Sequence, residues 1–125
     1  MKKLTPILYV DAIEPCLPFW VDRLGFTKTA EVPHEGAIGF AILARDGLEI
    51  MYQTWASAAA DVAGATKRTK GKSAALYIEV ENLDEVERAL REAEVVHPRR
   101  KTFYGATEIF VREPGGHVVG FAQME

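Results

Sequence analysis

His34, His97 and His117 are the only histidines of the chain and Cys16 its only cysteine. These residue types build metal sites, general bases and activated nucleophiles. His34 falls in a turn-like Pro33-His-Glu-Gly36 stretch, His97 precedes Pro98, and His117 follows a Pro-Gly-Gly turn, so no two share a strand face at ligand spacing. A lone cysteine excludes an internal disulfide and a cysteine-rich zinc site. Cys16 lies near an apolar helical face with no histidine close in sequence, which reads as packing rather than nucleophilic chemistry. Lys67, Arg68, Lys70 and Lys72, with Arg99, Arg100 and Lys101, form two short basic clusters that could attract an anionic ligand. The chain is net acidic, at −3, and carries no nucleic-acid-binding motif. Solvated loop charge is therefore the reading of both clusters, with no nucleic-acid partner.

The carboxylate that stands out is Glu49, and its setting is a hairpin. Phe40-Ala-Ile-Leu-Ala-Arg45 and Leu48-Glu-Ile-Met-Tyr-Gln53 flank Asp46-Gly47, a strong type I′ turn signal. Pairing Arg45 with Leu48 puts Phe40, Ile42, Ala44, Glu49, Met51 and Gln53 on one face and Ala41, Leu43, Ile50 and Tyr52 on the other. Glu49 is then either an inward acid in an apolar cup, an unusual electrostatic environment, or a rim residue beside the turn. Both faces are largely apolar, as expected of a sheet covered by helices on one side and by a partner layer or ligand on the other.

The elements around this hairpin follow from periodicity. With 125 residues, 48% hydrophobic and 26% charged, the chain is expected to form one globular domain with a real core. No apolar run approaches the roughly 20 residues of a membrane span, and no signal-peptide-like segment opens the chain. A cytoplasmic protein without a membrane partner is expected. Thr5 to Val10 reads as a strand, and Asp11-Ala-Ile-Glu14 has capping-box spacing. Ile13, Leu17, Trp20, Val21 and Leu24 then trace an apolar helical face, interrupted by Pro15 and Pro18 and closed by Gly25. Phe26 to Val32 reads as the next strand.

Residues 54 to 72 lose the strand alternation and read as a linker, with a short helix over Ser57 to Ala63. Trp20 belongs to the core stripe, whereas Trp55 opens the linker and is placed to cap a cavity or a subunit contact. The first pattern then returns. Ala74 to Val80 is a strand, Asn82-Leu-Asp-Glu85 a second capping box, and Leu83, Val86, Leu90 and Ala93 an apolar stripe, with a strand beginning at Val95-Val96. The halves align at an offset of about 70 residues, Val10 with Val80, Glu14 with Glu85 and Ile50-Met51 with Val119-Gly120. The expected organisation is modules at about 4–53 and 73–123 within a single 1–125 domain.

The stretch from Lys101 to Gln123 closes the second module as two strands about the Glu113-Pro-Gly-Gly116 turn. Tyr104-Gly105, Glu108 and Arg112-Glu113-Pro114-x-Gly116 are similar to the closing hairpin of the vicinal-oxygen-chelate superfamily, which contains glyoxalase I, extradiol dioxygenases, fosfomycin-resistance enzymes and bleomycin-resistance proteins. The text most resembles the bleomycin-resistance-like branch. The resemblance, together with the repeat, implies an α+β fold of two βαβββ modules whose curved mixed sheets form a concave cleft. Metal-dependent members supply ligands from the first and last strand of each module. Those positions align here with Thr5, Met51, Ala75 and Gly120, none a good ligand for a divalent catalytic metal. No metal or other cofactor is therefore expected.

What the resemblance implies for function is metal-independent binding, of the bleomycin-resistance type, of a small organic molecule, partly aromatic or cationic. The alternative is a metal-dependent glyoxalase-like lyase, isomerase or dioxygenase. The residues expected to line the site are Phe40, Ile42, Glu49, Met51, Trp55, Phe103, Tyr104 and Glu108. Tyr104 and Glu108 come from the family-like Tyr-Gly-x-x-x-Glu pattern, for which tying the loop to backbone is an equally good structural role. A homodimer is expected, because the inner sheet faces are too apolar to stand wholly solvated and superfamily members of this size commonly complete their clefts with a second subunit.

Overall fold

A computed structural model describes residues 3–62 and 74–125. The basic cluster Lys67, Arg68, Lys70 and Lys72 and most of the expected linker lie outside these residues. The chain forms two compact units, Met1–Thr69 and Lys70–Glu125.

The first unit is a four-stranded sheet of order β1-β4-β3-β2, from β1 (Ile7–Val10), β2 (Thr27–His34), β3 (Ala37–Arg45) and β4 (Leu48–Thr54). β1 runs parallel to β4 and the other pairs are antiparallel. Both hairpins have two-residue loops, Glu35-Gly36 and Asp46-Gly47, in which all four residues have positive φ, from 51° to 82°. That is the type I′ geometry, whose twist matches the strands it joins. The second loop fixes Arg45 opposite Leu48 and Ile42 opposite Met51, the register expected from the sequence. The alternation follows: Ala41, Leu43, Ile50 and Tyr52 are buried, while Phe40, Ile42, Glu49, Met51 and Gln53 are half-buried on the other face.

The segment between β1 and β2 departs from the expected regular helix. It is a 3₁₀ turn over Glu14–Cys16 followed by a π-helix over Pro18–Arg23. Pro15 and Pro18 have no N–H to give, so the i to i−4 ladder cannot run through them, and tighter and wider turns take its place. The buried positions are consequently Ile13, Cys16, Phe19, Trp20 and Leu24, whereas Leu17 and Val21 are only half-buried. Nor does Asp11 start a capping box: Ile13 holds the N-cap position without a side-chain bond. The Glu14 carboxylate instead accepts the Ile38 N–H at 2.9 Å, which holds its carboxyl below the usual range. Trp20 seals the segment onto the sheet, donating its indole N–H to the Tyr52 hydroxyl at 2.8 Å with both side chains fully buried. Phe19 and Phe26 meet its ring edge-on, with centroids 5.0 and 5.1 Å away.

After β4 comes α1 (Trp55–Asp61), capped by the Thr54 hydroxyl, which accepts the Ser57 N–H at 3.1 Å. Trp55 is therefore the first residue of a helix rather than the start of irregular chain.

The second unit repeats the plan with β5 (Leu76–Glu79), α2 (Leu83–Ala89), β6 (Glu94–Lys101), β7 (Ala106–Arg112) and β8 (Val118–Met124), in the order β5-β8-β7-β6. Here the capping residue is as expected: Asn82 accepts the Glu85 N–H at 3.2 Å. Leu83 and Leu90 are buried, and the Leu83 N–H donates to the Gln123 side chain at 2.8 Å, fastening the start of α2 to β8. The parallel pairings repeat the duplication, with Ile7 beside Met51 in the first sheet and Tyr77 beside Gly120 in the second. Two βαβββ modules with open mixed sheets are thus the fold, as expected. In the β7–β8 turn the buried Glu113 carboxylate accepts the His117 N–H at 2.5 Å, and Gly116 has φ 90°.

Arg99 and Arg100, read from the sequence as loop charge, lie on β6. Arg99 bridges to Asp84 and Glu87 at 2.6 and 3.1 Å, joining that edge strand to α2.

Candidate functional site

In the first module the face away from Trp20 carries two rows of side chains. Tyr9, Gln53 and Phe40 stand in one register row and Ile7, Met51 and Ile42 in the next. Trp55, at the start of α1, leans on Tyr9 with ring centroids 5.0 Å apart and planes tilted by 34°. The Gln53 amide donates to the Ser57 hydroxyl at 3.3 Å, tying α1 to the sheet at the same place. Phe40, Ile42, Met51, Tyr9 and Trp55 are all half-buried. The result is an apolar and aromatic surface with a few fixed polar groups, a composition suited to a flat organic ligand. Glu49 lies on this face two residues along from Met51, but it is engaged: Lys3 reaches its carboxylate at 2.8 Å.

The other three expected residues belong to the second module. Glu108 on β7 is fully buried, and its carboxylate is the centre of a quartet. Its Oε1 accepts from Arg100 Nε and Nη2 at 3.0 and 2.8 Å and from the Tyr104 hydroxyl at 2.7 Å, and its Oε2 accepts from the Tyr77 hydroxyl at 2.5 Å. Burial pushes the carboxyl up, but the bonds from Tyr77, Tyr104 and Arg100 and the charge of Arg100 outweigh it, so the group lies below the usual carboxylate range. The same bond to Glu108, helped by desolvation and the carboxylate charge, raises the Tyr77 phenol well above its ordinary value. Beside the quartet, the Phe110 ring lies 6.1 Å from the Tyr77 ring and 5.9 Å from Arg100 Cζ.

Phe103 is not part of this arrangement. It stands fully exposed at the tip of the β6–β7 hairpin, where Thr102 and Ala106 close the turn through paired bonds, and the ring it meets is that of its neighbour Tyr104, edge-on at 5.1 Å. The eight expected residues therefore divide into Phe40, Ile42, Glu49, Met51 and Trp55 in the first module and Phe103, Tyr104 and Glu108 in the second.

The strand registers also bear on the positions that the resemblance gives to a metal. The residues beside Met51 and Gly120 are Ile7 and Tyr77, since Thr5 and Ala75 precede their strands. Isoleucine and glycine side chains offer no donor, the methionine thioether is soft, and the Tyr77 phenol is committed to Glu108. These residues do not fit a divalent catalytic metal. Among the described residues no group of three or more His, Cys, Asp or Glu side chains could hold one.

Tyr9, Tyr77 and Phe110 complete the two surfaces and were not singled out by sequence, and Arg100 was read there only as one of a basic cluster. The available signal for Tyr77 was strand alternation, which sets Tyr77 and Glu79 opposite Leu76 and Ile78 on β5. For Arg100 no local signal exists, because its partner is eight residues away across a hairpin.

A family model described as Glyoxalase/Bleomycin resistance protein/Dioxygenase superfamily matches residues 4–121. No curated protein matches the sequence. Among solved structures, TioX from Micromonospora sp. ML1 superposes with a TM-score of 0.75 at 20% identity, covering 100% of both chains. A glyoxalase/bleomycin resistance protein/dioxygenase family enzyme from Burkholderia phytofirmans PsJN gives 0.80 at 13% identity over 97% of each chain. A lactoylglutathione lyase from Agrobacterium tumefaciens gives 0.73 at 14% identity, over 98% of this chain and 94% of that one. At these identities the likeness is one of fold.

Proposed function

The chain belongs to the glyoxalase/bleomycin resistance protein/dioxygenase superfamily, and within it we propose a protein that binds and sequesters a small, partly aromatic organic molecule without a metal. The observation that carries this reading is the inner face of the first module: Tyr9, Phe40, Ile42 and Met51 on the strands and Trp55 on α1 present half-buried rings and aliphatic groups, and neither Ile7 nor Met51 offers a hard ligand. A planar ligand set against Trp55 gains area burial and about 1 kcal/mol per good aromatic contact besides. Because Glu49 is paired with Lys3, it does not by itself select a cation. We further propose that the protein is a homodimer; its edge strands β2 and β6 are exposed on both faces and carry exposed Val32, Val95 and Val96.

Calorimetric titration of the chelator-treated protein with bleomycin and with simple aromatic ligands tests the binding reading. Binding should survive chelation, and Trp55→Ala should weaken it about fivefold, the equivalent of about 1 kcal/mol, while leaving the fold intact. A catalytic activity abolished by chelation and restored by zinc, nickel, manganese or iron would replace this reading with the metal-dependent enzyme of the same superfamily.

A further inference from the structure

Gln53 stands at the centre of a register row on the first module's inner face, with Tyr9 on one side and Phe40 on the other. Its carboxamide carries two N–H donors and a carbonyl oxygen with two lone pairs. Among the described residues this amide makes a single hydrogen bond, to the Ser57 hydroxyl at 3.3 Å. One N–H and the whole carbonyl therefore remain. Because a serine hydroxyl both donates and accepts, at least one donor and one acceptor remain for either orientation of the amide. Gln53 is half-buried, and among the described residues no buried side-chain nitrogen or oxygen lacks a partner, so the spare carbonyl is open to solvent. Ser57 is itself held in place. Its N–H donates to the Thr54 hydroxyl at 3.1 Å, and Gly39 on β3 makes room for it: a β-carbon there would stand 3.1 Å from Ser57 Cβ and 3.2 Å from Ser57 Oγ. Glu49, further along the face, is paired with Lys3 at 2.8 Å, which leaves no net charge for a ligand to match.

We propose that Gln53 is the specificity-determining residue of this face, and that the molecule it selects is a neutral aromatic lactam or carboxamide, whose N–H and C=O lie side by side in the plane of the ring. Neighbouring strands are about 5 Å apart, so a ring resting on Tyr9 or Phe40 brings groups on its edge within reach of the Gln53 amide. The ligand N–H donates to the Gln53 carbonyl, and the ligand carbonyl accepts the spare Gln53 N–H. A ring system of the same shape without the N–H covers the Gln53 carbonyl and leaves it unpaired, which costs the hydrogen bond it had with water. Ser57 is a positioning residue: it fixes the plane of the amide and does not touch the ligand. The preference rests on the reading of the inner face as a small-molecule site and adds the class of molecule that the site takes.

Two probes of one shape isolate the amide: 2-quinolinone is a lactam with N–H beside C=O, and coumarin has a ring oxygen in place of that N–H. Titrations are followed by proton–nitrogen NMR at the Gln53 side-chain NH2 pair, identified by its loss in Gln53→Met, and at the Trp55 indole N–H. The native protein should bind 2-quinolinone about fivefold more tightly than coumarin, the worth of one net hydrogen bond, with both signals moving. Gln53→Met keeps the length of the side chain and loses its donor and acceptor, and it should bring the two affinities level while coumarin still binds. Ser57→Ala releases the amide and should reduce the preference without weakening coumarin binding; it provides the comparison should Gln53→Met misfold. Equal affinity of the native protein for the two probes, or a preference undiminished in the folded variants, overturns the assignment. Movement confined to the Trp55 signal also overturns it, while leaving the aromatic inner face standing as a binding surface. Absence of binding by both probes at millimolar concentration overturns it as well, and the bleomycin titration then decides the broader reading separately.

Discussion

The ring of Phe110 occupies the space where a side chain on Gly120 would be: a β-carbon there would stand 2.5 Å from Cε1 and 2.9 Å from Cδ1 of that ring. The two residues are register partners on β7 and β8. In the first module the matching position on the last strand is Met51, whose side chain adds to the inner face; here glycine lets an aromatic ring lie down over the strand instead. Gly120→Ala should therefore push Phe110 away from Tyr77 and Arg100, costing about 2 kcal/mol as overpacking does. Urea unfolding gives the stability loss, and the shift of the Arg100 Nε–H signal reports the displaced ring. An alanine variant of native stability with that signal unmoved would show that the ring is not held there.

Stability should fall on both sides of neutrality through the quartet. Glu108 titrates below its unfolded value, so its contribution is fully present above about pH 4.3 and is lost as pH falls through the lower folded value. Tyr77 titrates above its unfolded value, so its contribution is fully present below about pH 10 and is lost as pH rises toward the folded one. Glu108→Gln should remove about 2 kcal/mol at neutral pH, the scale of hydrogen bonds to a charged group, and flatten both limbs. Equilibrium unfolding across the pH range checks this; a profile identical in shape to that of the native protein would contradict it.

If the edge strands are covered by a second copy, light scattering will give twice the 13.9 kDa of one chain. Replacing Val95 and Val96, exposed at 51% and 43% on β6, by lysine should shift the equilibrium toward monomer, since charge on an edge opposes pairing. A single-chain mass at every concentration would rule the dimer out.

What the sequence made legible follows from which interactions are local. Asp46-Gly47 fixes its hairpin within two residues, so the facing of Phe40, Ile42 and Met51 could be read one residue at a time. Asn82 caps α2 from three residues away, and the contact is found as expected. The segment around Pro15 and Pro18 misled because an apolar spacing near 3.6 says nothing about hydrogen bonds that proline cannot make. In the candidate site, the Tyr104 bond to Glu108 spans four residues and lies within a motif, whereas the Tyr77 bond spans 31 and depends on how β5 docks beside β8. Phe103 was expected beside Tyr104, and its ring does meet that neighbour edge-on, but at the hairpin tip it has no strand to be buried against and stands fully exposed.

The chain's two tryptophans, one sealed against Phe19, Phe26 and the Tyr52 hydroxyl and the other half-open against Tyr9, give the protein an optical asymmetry. Trp20 sits in a dry environment and emits toward the blue, beyond the reach of a dissolved quencher such as iodide, whereas Trp55 emits further to the red and can be quenched. Intrinsic fluorescence of the unlabelled protein thus resolves into two channels, one reporting loss of the first module's core and the other occupancy of its inner face.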